Sequence, residues 1–101
     1  MISVVVPVHD EDRSVELLYD ELASALDPLE RPWEAVFVDD GSVDGSFAAL
    51  TRLNSRAQNV RVVRLRRNFG KSAALSAGFR HSTGDVVVTI DADLQDDPAE
   101  I

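Results

Sequence analysis

Val86-Val87-Val88-Thr89-Ile90-Asp91-Ala92-Asp93 is the stretch on which the reading of this chain turns. Five apolar or β-branched residues in a row read as a strand, and an unbroken apolar run fits a strand covered on both faces. Two carboxylates then arrive at its carboxyl end, with Gln95 two positions further on. In an extended backbone, residues 91, 93 and 95 project to one side. Oxygen donors gathered in this way suit a hard divalent cation such as Mg²⁺ or Mn²⁺, which keeps positions open for diphosphate oxygens. The competing reading is an acidic, solvated loop, and the aspartate pair alone does not separate the two.

Upstream of that run the same kind of strand recurs, separated by helical periodicity. Ile2–Val8 is a β-branched run, and Trp33–Asp39 and residues 60–65 are further strands. Residues 13–26 place Val15, Leu18, Leu22 and Ala25 or Leu26 at three-and-four spacing, with Asp10 or Asp12 as cap. Ser46–Arg56 repeats the pattern with Phe47, Leu50 and Leu53, and residues 72–81 form an alanine-rich third helix before Thr83-Gly84. Residues 85–90 are the fourth strand. Strand-helix alternation of this kind predicts an α/β fold, a Rossmann-like parallel sheet with helices on both faces. Trp33 reads as a core or strand-edge aromatic, Asp44 as a helix cap and His81 as a helix end.

The chain has 101 residues, enough for one small domain or part of a larger one. It ends in Asp96-Asp97-Pro98-Ala99-Glu100-Ile101. Pro98 suits the first turn of a helix and Asp96 or Asp97 its cap, so the expectation is a domain truncated on its C-terminal side. With no cysteine, disulfides and thiolate metal sites are excluded. No apolar run approaches the roughly 18–20 residues that span a membrane. Met1 leads straight into a strand with no signal-peptide pattern, which predicts a cytoplasmic N-terminus. The net charge of −8 is unevenly spread: residues 45–84 contain no acid but eight bases, among them Arg64, Arg66, Arg67 and Lys71. A basic rim of this kind faces phosphates or balances the acidic segments. Nucleic acid is not expected as a partner, because the overall balance is acidic and few aromatics interleave with the bases.

In an open parallel sheet, ligands bind beyond the carboxyl ends of the strands. There this chain sets Pro7, His9, Asp10 and Glu11 after the first strand, and Asp39, Asp40, Gly41 and Ser42 after the second. Arg66, Arg67, Asn68, Gly70 and Lys71 follow the third strand, and Asp91, Asp93 and Gln95 the fourth. Neither G-x-G-x-x-G nor G-x-x-x-x-G-K-[ST] occurs, so a glycine-rich phosphate loop is not expected. Any phosphates must then be met by a carboxylate-held cation with Arg or Lys. Four segments, Val4-Val-Val-Pro-Val-His-Asp-Glu11, Phe37-Val-Asp-Asp-Gly-Ser-Val-Asp-Gly-Ser46, Arg67-Asn-Phe-Gly-Lys71 and Gly84-Asp-Val-Val-Val-Thr-Ile-Asp-Ala-Asp-Leu-Gln-Asp-Asp-Pro98, occur in order over nearly the whole chain. In these the sequence resembles family 2 glycosyltransferases, and within them the branch that transfers sugars to polyprenyl or dolichyl phosphate.

The resemblance implies that residues 1–101 are the nucleotide-sugar-binding, N-terminal part of a GT-A-type glycosyltransferase domain. It implies a nucleotide site made by Pro7, His9, Glu11, Val38, Asp40, Lys71 and Ala92, with Asp40 touching the nucleoside and Asp39 supporting the loop. It also implies Mg²⁺ or Mn²⁺ on Asp91, Asp93 and Gln95, with Asp93 catalytic. The 68–71 turn is typical of this branch and meets the donor or the acceptor phosphate. Two positions depart from the family pattern: His9 stands for the usual tyrosine and Asp10 for the usual asparagine. The implied reaction is inverting transfer from a UDP- or GDP-sugar to a lipid phosphate at the cytoplasmic face of a membrane, with membrane contact made by regions outside this chain. By itself the chain is then inactive. The alternative is a non-catalytic nucleotide- or metal-binding module. A phosphohydrolase fits poorly, because its nucleophilic aspartate follows the first strand, where Asp10 falls in the nucleotide-lining segment. Asp40, at a strand tip, is expected to lie outside the core.

Overall fold

The computed structural model describes residues 1–10 and 14–90. Strand β1 (Ile2–Val8) leads to helix α1 (Val15–Leu26), a single 3₁₀ turn (Asp27–Leu29) and strand β2 (Trp33–Asp39). Helix α2 (Ser46–Arg56), strand β3 (Val60–Arg64), helix α3 (Lys71–His81) and strand β4 (Val86–Thr89) follow. All strand pairs are parallel and the order across the sheet is β3-β2-β1-β4. The order runs outward from β1 in one direction and then reverses to β4, so β1 lies at the point where such sheets open a crevice for ligands.

Strand alternation sends side chains to two separate cores. Val4, Val6 and Val8 of β1 join Trp33, Ala35 and Phe37 of β2 on one face. Against them pack Val15, Leu18, Leu22 and Leu26 of α1 and Ala49, Leu50 and Leu53 of α2. Each buried valine or leucine among them contributes about 1.5–3 kcal/mol. On the other face Val5, Val36 and Val38 meet Ala74 and Ala77 of α3. Helix α3 can sit this low because its sheet side is made of small residues. At Gly78 an added Cβ would lie 2.3 Å from Val5 Cγ1.

Trp33 is a core residue, with its indole N–H donating to Asp27 Oδ1 at 2.8 Å. Asp44 accepts the Ser46 N–H at the start of α2, and His81 is the last residue of α3. Some boundaries differ from the sequence expectation. Helix α3 begins at Lys71, one residue early, and β3 ends at Arg64, although Leu65 N–H still donates to Asp39 O. Asp10 does not cap α1: its Oδ1 accepts Val43 N–H across the neighbouring loop, and the N-cap position, Ser14, makes no side-chain cap bond. Asp12 lies outside the described residues. The apolar run of β4 predicts cover on both faces, with a neighbour not present in these residues. Among the described residues it is an edge strand, with Val86 50% and Val87 42% exposed. An apolar run reports what a strand can tolerate, while its place in the sheet depends on pairing partners far away in sequence.

A buried polar cluster, not foreseen from sequence, closes the amino-terminal edge of the sheet. Glu34 is 5% exposed; its Oε2 accepts from Ser3 Oγ (2.6 Å), Thr83 N–H (2.8 Å) and Thr83 Oγ1 (3.1 Å). Its Oε1 faces Arg61 Nε at 3.1 Å. Burial alone would raise the Glu34 pKa, but the Ser3 and Thr83 donors and the Arg61 charge outweigh it and hold the carboxyl below its ordinary value. The cluster ties β1, β2, β3 and the loop before β4 together at the end of the sheet opposite the site.

Candidate functional site

The carboxyl ends of β1, β2 and β3 are held to one another by hydrogen bonds that cross from loop to loop. Pro7 stands two residues beyond Val5, the last residue of β1 paired with β4. The β1–β2 ladder continues past Val8, whose carbonyl accepts Asp40 N–H at 2.8 Å. Next comes Asp10 at a φ of 54°, a left-handed conformation that aspartate tolerates. Its N–H donates to Ser42 Oγ at 2.9 Å, and its carboxylate accepts Val43 N–H at 2.8 Å. The loop after β1 is thus stitched to the loop after β2.

The two adjacent aspartates of that second loop do different work. Asp39 is fully buried; its Oδ1 accepts Ser42 N–H at 3.0 Å. Its Oδ2 has no hydrogen-bond partner among the described residues and faces Arg64 Nε at 3.9 Å. The Arg64 guanidinium lies 4.1 Å from the centre of the Phe47 ring, a cation–π arrangement. Asp39 therefore supports the loop. Asp40 turns the other way, and its Oδ1 accepts Phe69 N–H at 2.9 Å while Oδ2 accepts Gly70 N–H at 3.1 Å. It is only 4% exposed, so the expectation of a strand-tip residue outside the packed interior is corrected: the β3–α3 turn folds over it.

Gly41 explains how the turn comes so close. It sits at a φ of 70°, and a Cβ there would lie 2.2 Å from Asn68 N and 2.3 Å from Arg67 C. Only a residue without a side chain fits beneath that backbone. His9 completes the junction. Its Nδ1 is 2.9 Å from Asp40 O, which can only accept, so Nδ1 carries a proton there. The Asn68 amide nitrogen lies 3.0 Å from His9 Nε2, and Asp10 Oδ2 lies 3.4 Å from the same atom.

These contacts enclose a cleft of about 260 Å³ at the carboxyl edge of the sheet. Pro7, Val8 and His9 form one wall and Asp40 the floor, while Asn68, Gly70 and Lys71 of the β3–α3 turn close the far side. Four of the residues nominated from sequence for a nucleotide, Pro7, His9, Asp40 and Lys71, are thereby brought together. Val38 is not among the lining residues; its side chain is fully buried in the core beneath α3. Glu11, Ala92 and the proposed metal ligands Asp91, Asp93 and Gln95 lie outside the described residues. Ile90, the last described residue, donates its N–H to Val5 O at 3.1 Å, two residues before Pro7 of the cleft wall. Among the described residues no group of three acidic, histidine or cysteine side chains is poised to hold a metal, and the Asp40 carboxylate is already engaged by two backbone donors. Sequence reasoning missed Val8 as a wall and the close approach at Gly41. The Asp-Gly pair at a strand end signalled a turn at that point, but not what would lie on it.

Comparison with known proteins follows the same lines. The sequence profile of glycosyl transferase family 2 matches residues 3–101. The undecaprenyl-phosphate 4-deoxy-4-formamido-L-arabinose transferase of Pectobacterium carotovorum subsp. carotovorum is 44% identical over 101 residues, covering 99% of this chain and 31% of that protein. The chain therefore spans about a third of the length of the curated relatives it matches. A mannosyltransferase from Pyrobaculum calidifontis, solved with GDP-Man and Mn²⁺, superposes with a TM-score of 0.81 at 32% identity, over 91% of this chain and 27% of that one. Glucosyl-3-phosphoglycerate synthase of Mycobacterium tuberculosis, solved with Mn²⁺, UDP and glucosyl-3-phosphoglycerate, superposes with a TM-score of 0.71 at 28% identity, over 91% of this chain and 33% of that one.

Proposed function

Because the chain belongs to glycosyl transferase family 2, we propose that residues 1–101 are the donor-binding part of a GT-A-type enzyme that moves a sugar from a nucleoside diphosphate sugar to a polyprenyl phosphate with inversion. One observation carries the reading. Pro7, His9, Asp40 and Lys71 come from three separate segments and converge on one cleft at the carboxyl edge of a parallel sheet, where such sheets receive nucleotides. Relatives whose names specify undecaprenyl phosphate support the lipid acceptor. Solved relatives holding GDP-Man or UDP, each with Mn²⁺, support the donor class and the cation.

In this reading Pro7, His9 and Glu11 take the base and ribose, and Lys71 takes the diphosphate. Asp91, Asp93 and Gln95 would hold Mg²⁺ or Mn²⁺, with Asp93 the acting residue. The bound cation would supply a Lewis acid that neutralises charge on the departing diphosphate. A lipid phosphate is already anionic and needs little help from a general base. The reaction then belongs at the cytoplasmic face of a membrane, since nucleoside diphosphate sugars are cytoplasmic. Among the described residues no helix is long and apolar enough to cross a bilayer, and we assign membrane contact and the acceptor site to regions outside this chain. The 101 residues alone are expected to bind donor without turnover.

Calorimetry on this chain with UDP and GDP, with and without Mn²⁺, tests the proposal. One nucleotide should bind, more tightly with the cation, and Lys71→Ala should weaken it by about 1.5–3 kcal/mol, the range for hydrogen bonds to charged groups. Binding of neither nucleotide, or binding unmoved by Lys71→Ala, would sink the donor assignment.

A further inference from the structure

We propose that His9 receives the nucleoside diphosphate as an imidazolium, with Asp10 holding its second ring N–H, so that this chain takes up a proton as it binds the nucleotide. The proposal rests on the donor-site reading and adds a charge to it. His9 Nδ1 lies 2.9 Å from Asp40 O, an atom that only accepts, and Nε2 lies 3.4 Å from Asp10 Oδ2. Each ring nitrogen therefore faces an oxygen acceptor. A neutral imidazole has one N–H and meets one of them, whereas the cation meets both.

Asn68 does not supply a donor in place of that second proton. Its Nδ2 lies 3.0 Å from Nε2 and 3.3 Å from Nδ1. An atom almost equidistant from the two nitrogens is off the in-plane lone-pair direction of either. Within the ring plane it would collide with Cε1, so the amide packs across the ring face. Its Oδ1 accepts Gly70 N–H at 2.9 Å, which fixes the end of the amide that turns to the ring. Asp10 is placed as firmly. Its Oδ1 accepts Val43 N–H and its own N–H donates to Ser42 Oγ, with Oδ2 toward the imidazole.

The charge balance of the cleft gives the cation its use. Among the described residues, the charged groups around the ring are Asp10 in its own loop, Asp40 at the end of β2 and Lys71 at the start of α3. Two anions and one cation make a poor seat for a diphosphate. A proton on His9 evens the count, and an entering anion favours that proton further. The His9 side chain is 42% exposed, so it exchanges protons with solvent directly.

Calorimetry on this chain with UDP and GDP, without a divalent cation, counts protons when repeated in buffers of different ionisation enthalpy. The reference is the double variant His9→Tyr with Asp10→Asn, which has no imidazole to charge in the neutral range. Titration of the phosphates themselves is common to both proteins and cancels in the comparison. At about pH 7 the unmodified chain takes up more protons on binding than the double variant. From about pH 8 to about pH 5.5, its affinity relative to the double variant rises about two- to fivefold, the scale of a half-exposed charge pair. Asp10→Asn alone moves that rise to lower pH, because the cation loses its carboxylate. An equal proton count in the two proteins, or an affinity ratio that is flat or falls in acid, overturns the proposal. A rise unmoved by Asp10→Asn overturns the part given to Asp10. Should the double variant not fold, the His9 ring nitrogen resonances of the unmodified chain decide the point. Saturating UDP or GDP at about pH 7 drives them toward the doubly protonated form, and resonances that stay with the neutral ring reject it. A chain that binds neither nucleotide refutes the donor reading. The pairing is then judged by acid titration of the same resonances with and without Asp10→Asn, where an unmoved titration rejects it.

Discussion

Replacing Gly41 with alanine isolates the contact on which the geometry of the cleft depends. Two effects add at this position. The backbone sits at a φ of 70°, where an L-residue with a Cβ pays about 1–2 kcal/mol. The new methyl group would also lie 2.2 Å from Asn68 N and 2.3 Å from Arg67 C. These are backbone atoms that no rotamer change can move aside, and overpacking of this kind costs about 1–3 kcal/mol. Together the loss is about 2–5 kcal/mol, a large fraction of the roughly 5–15 kcal/mol that stabilises a domain. Gly70 is the internal control: its φ is 99°, but a Cβ there meets nothing within 4 Å. Gly70→Ala should therefore show only backbone strain, about 1–3 kcal/mol. Urea denaturation followed by circular dichroism measures both, and nucleotide titration of the folded fraction reports the turn. Gly41→Ala is expected to lower the midpoint further than Gly70→Ala. If Gly41→Ala is neutral, or costs no more than about 1–2 kcal/mol, the backbone strain alone, the close approach of the two loops is wrong and the cleft described above does not have this shape.

Other expectations are as direct. The folded pKa of Glu34 lies below its unfolded value near 4.5, so its stabilising contribution is complete above about pH 4.5 and disappears as pH falls through the lower folded value. Glu34→Gln should flatten that part of the stability-against-pH curve and lower stability at neutral pH by about 1–3 kcal/mol, as urea midpoints at a series of pH values will show. An unchanged acid limb would mean that the Ser3, Thr83 and Arg61 contacts do not hold the carboxylate. Gly78→Ala gains about 1 kcal/mol in helix propensity but drives a methyl group to 2.3 Å from Val5 Cγ1. The net expectation is a loss of up to about 2 kcal/mol, recovered by a compensating Val5→Ala; thermal melts of the single and double variants test it, and a stabilised Gly78→Ala would contradict the low seat of α3.

The order of strands and helices was written in local pattern. Valine runs of strand length, the Leu18–Leu22–Leu26 stripe and the Asp-Gly pair after Asp39 act over a few residues, where backbone preference and side-chain period dominate. The same locality made four polar segments readable at strand ends, and it predicted that Pro7, His9, Asp40 and Lys71 would share an edge. What happens between those ends is not local. That Asp40 reaches Phe69 and Gly70, that Gly41 lies under Asn68, that Glu34 finds Ser3, Thr83 and Arg61, and that β4 stands at an edge all follow from strand order and register. Those are set by the packing of two helix layers on one sheet, in which residues 27 to 49 positions apart become neighbours. A sequence motif nominates a carboxylate for a site; only the folded chain decides which donors reach it first.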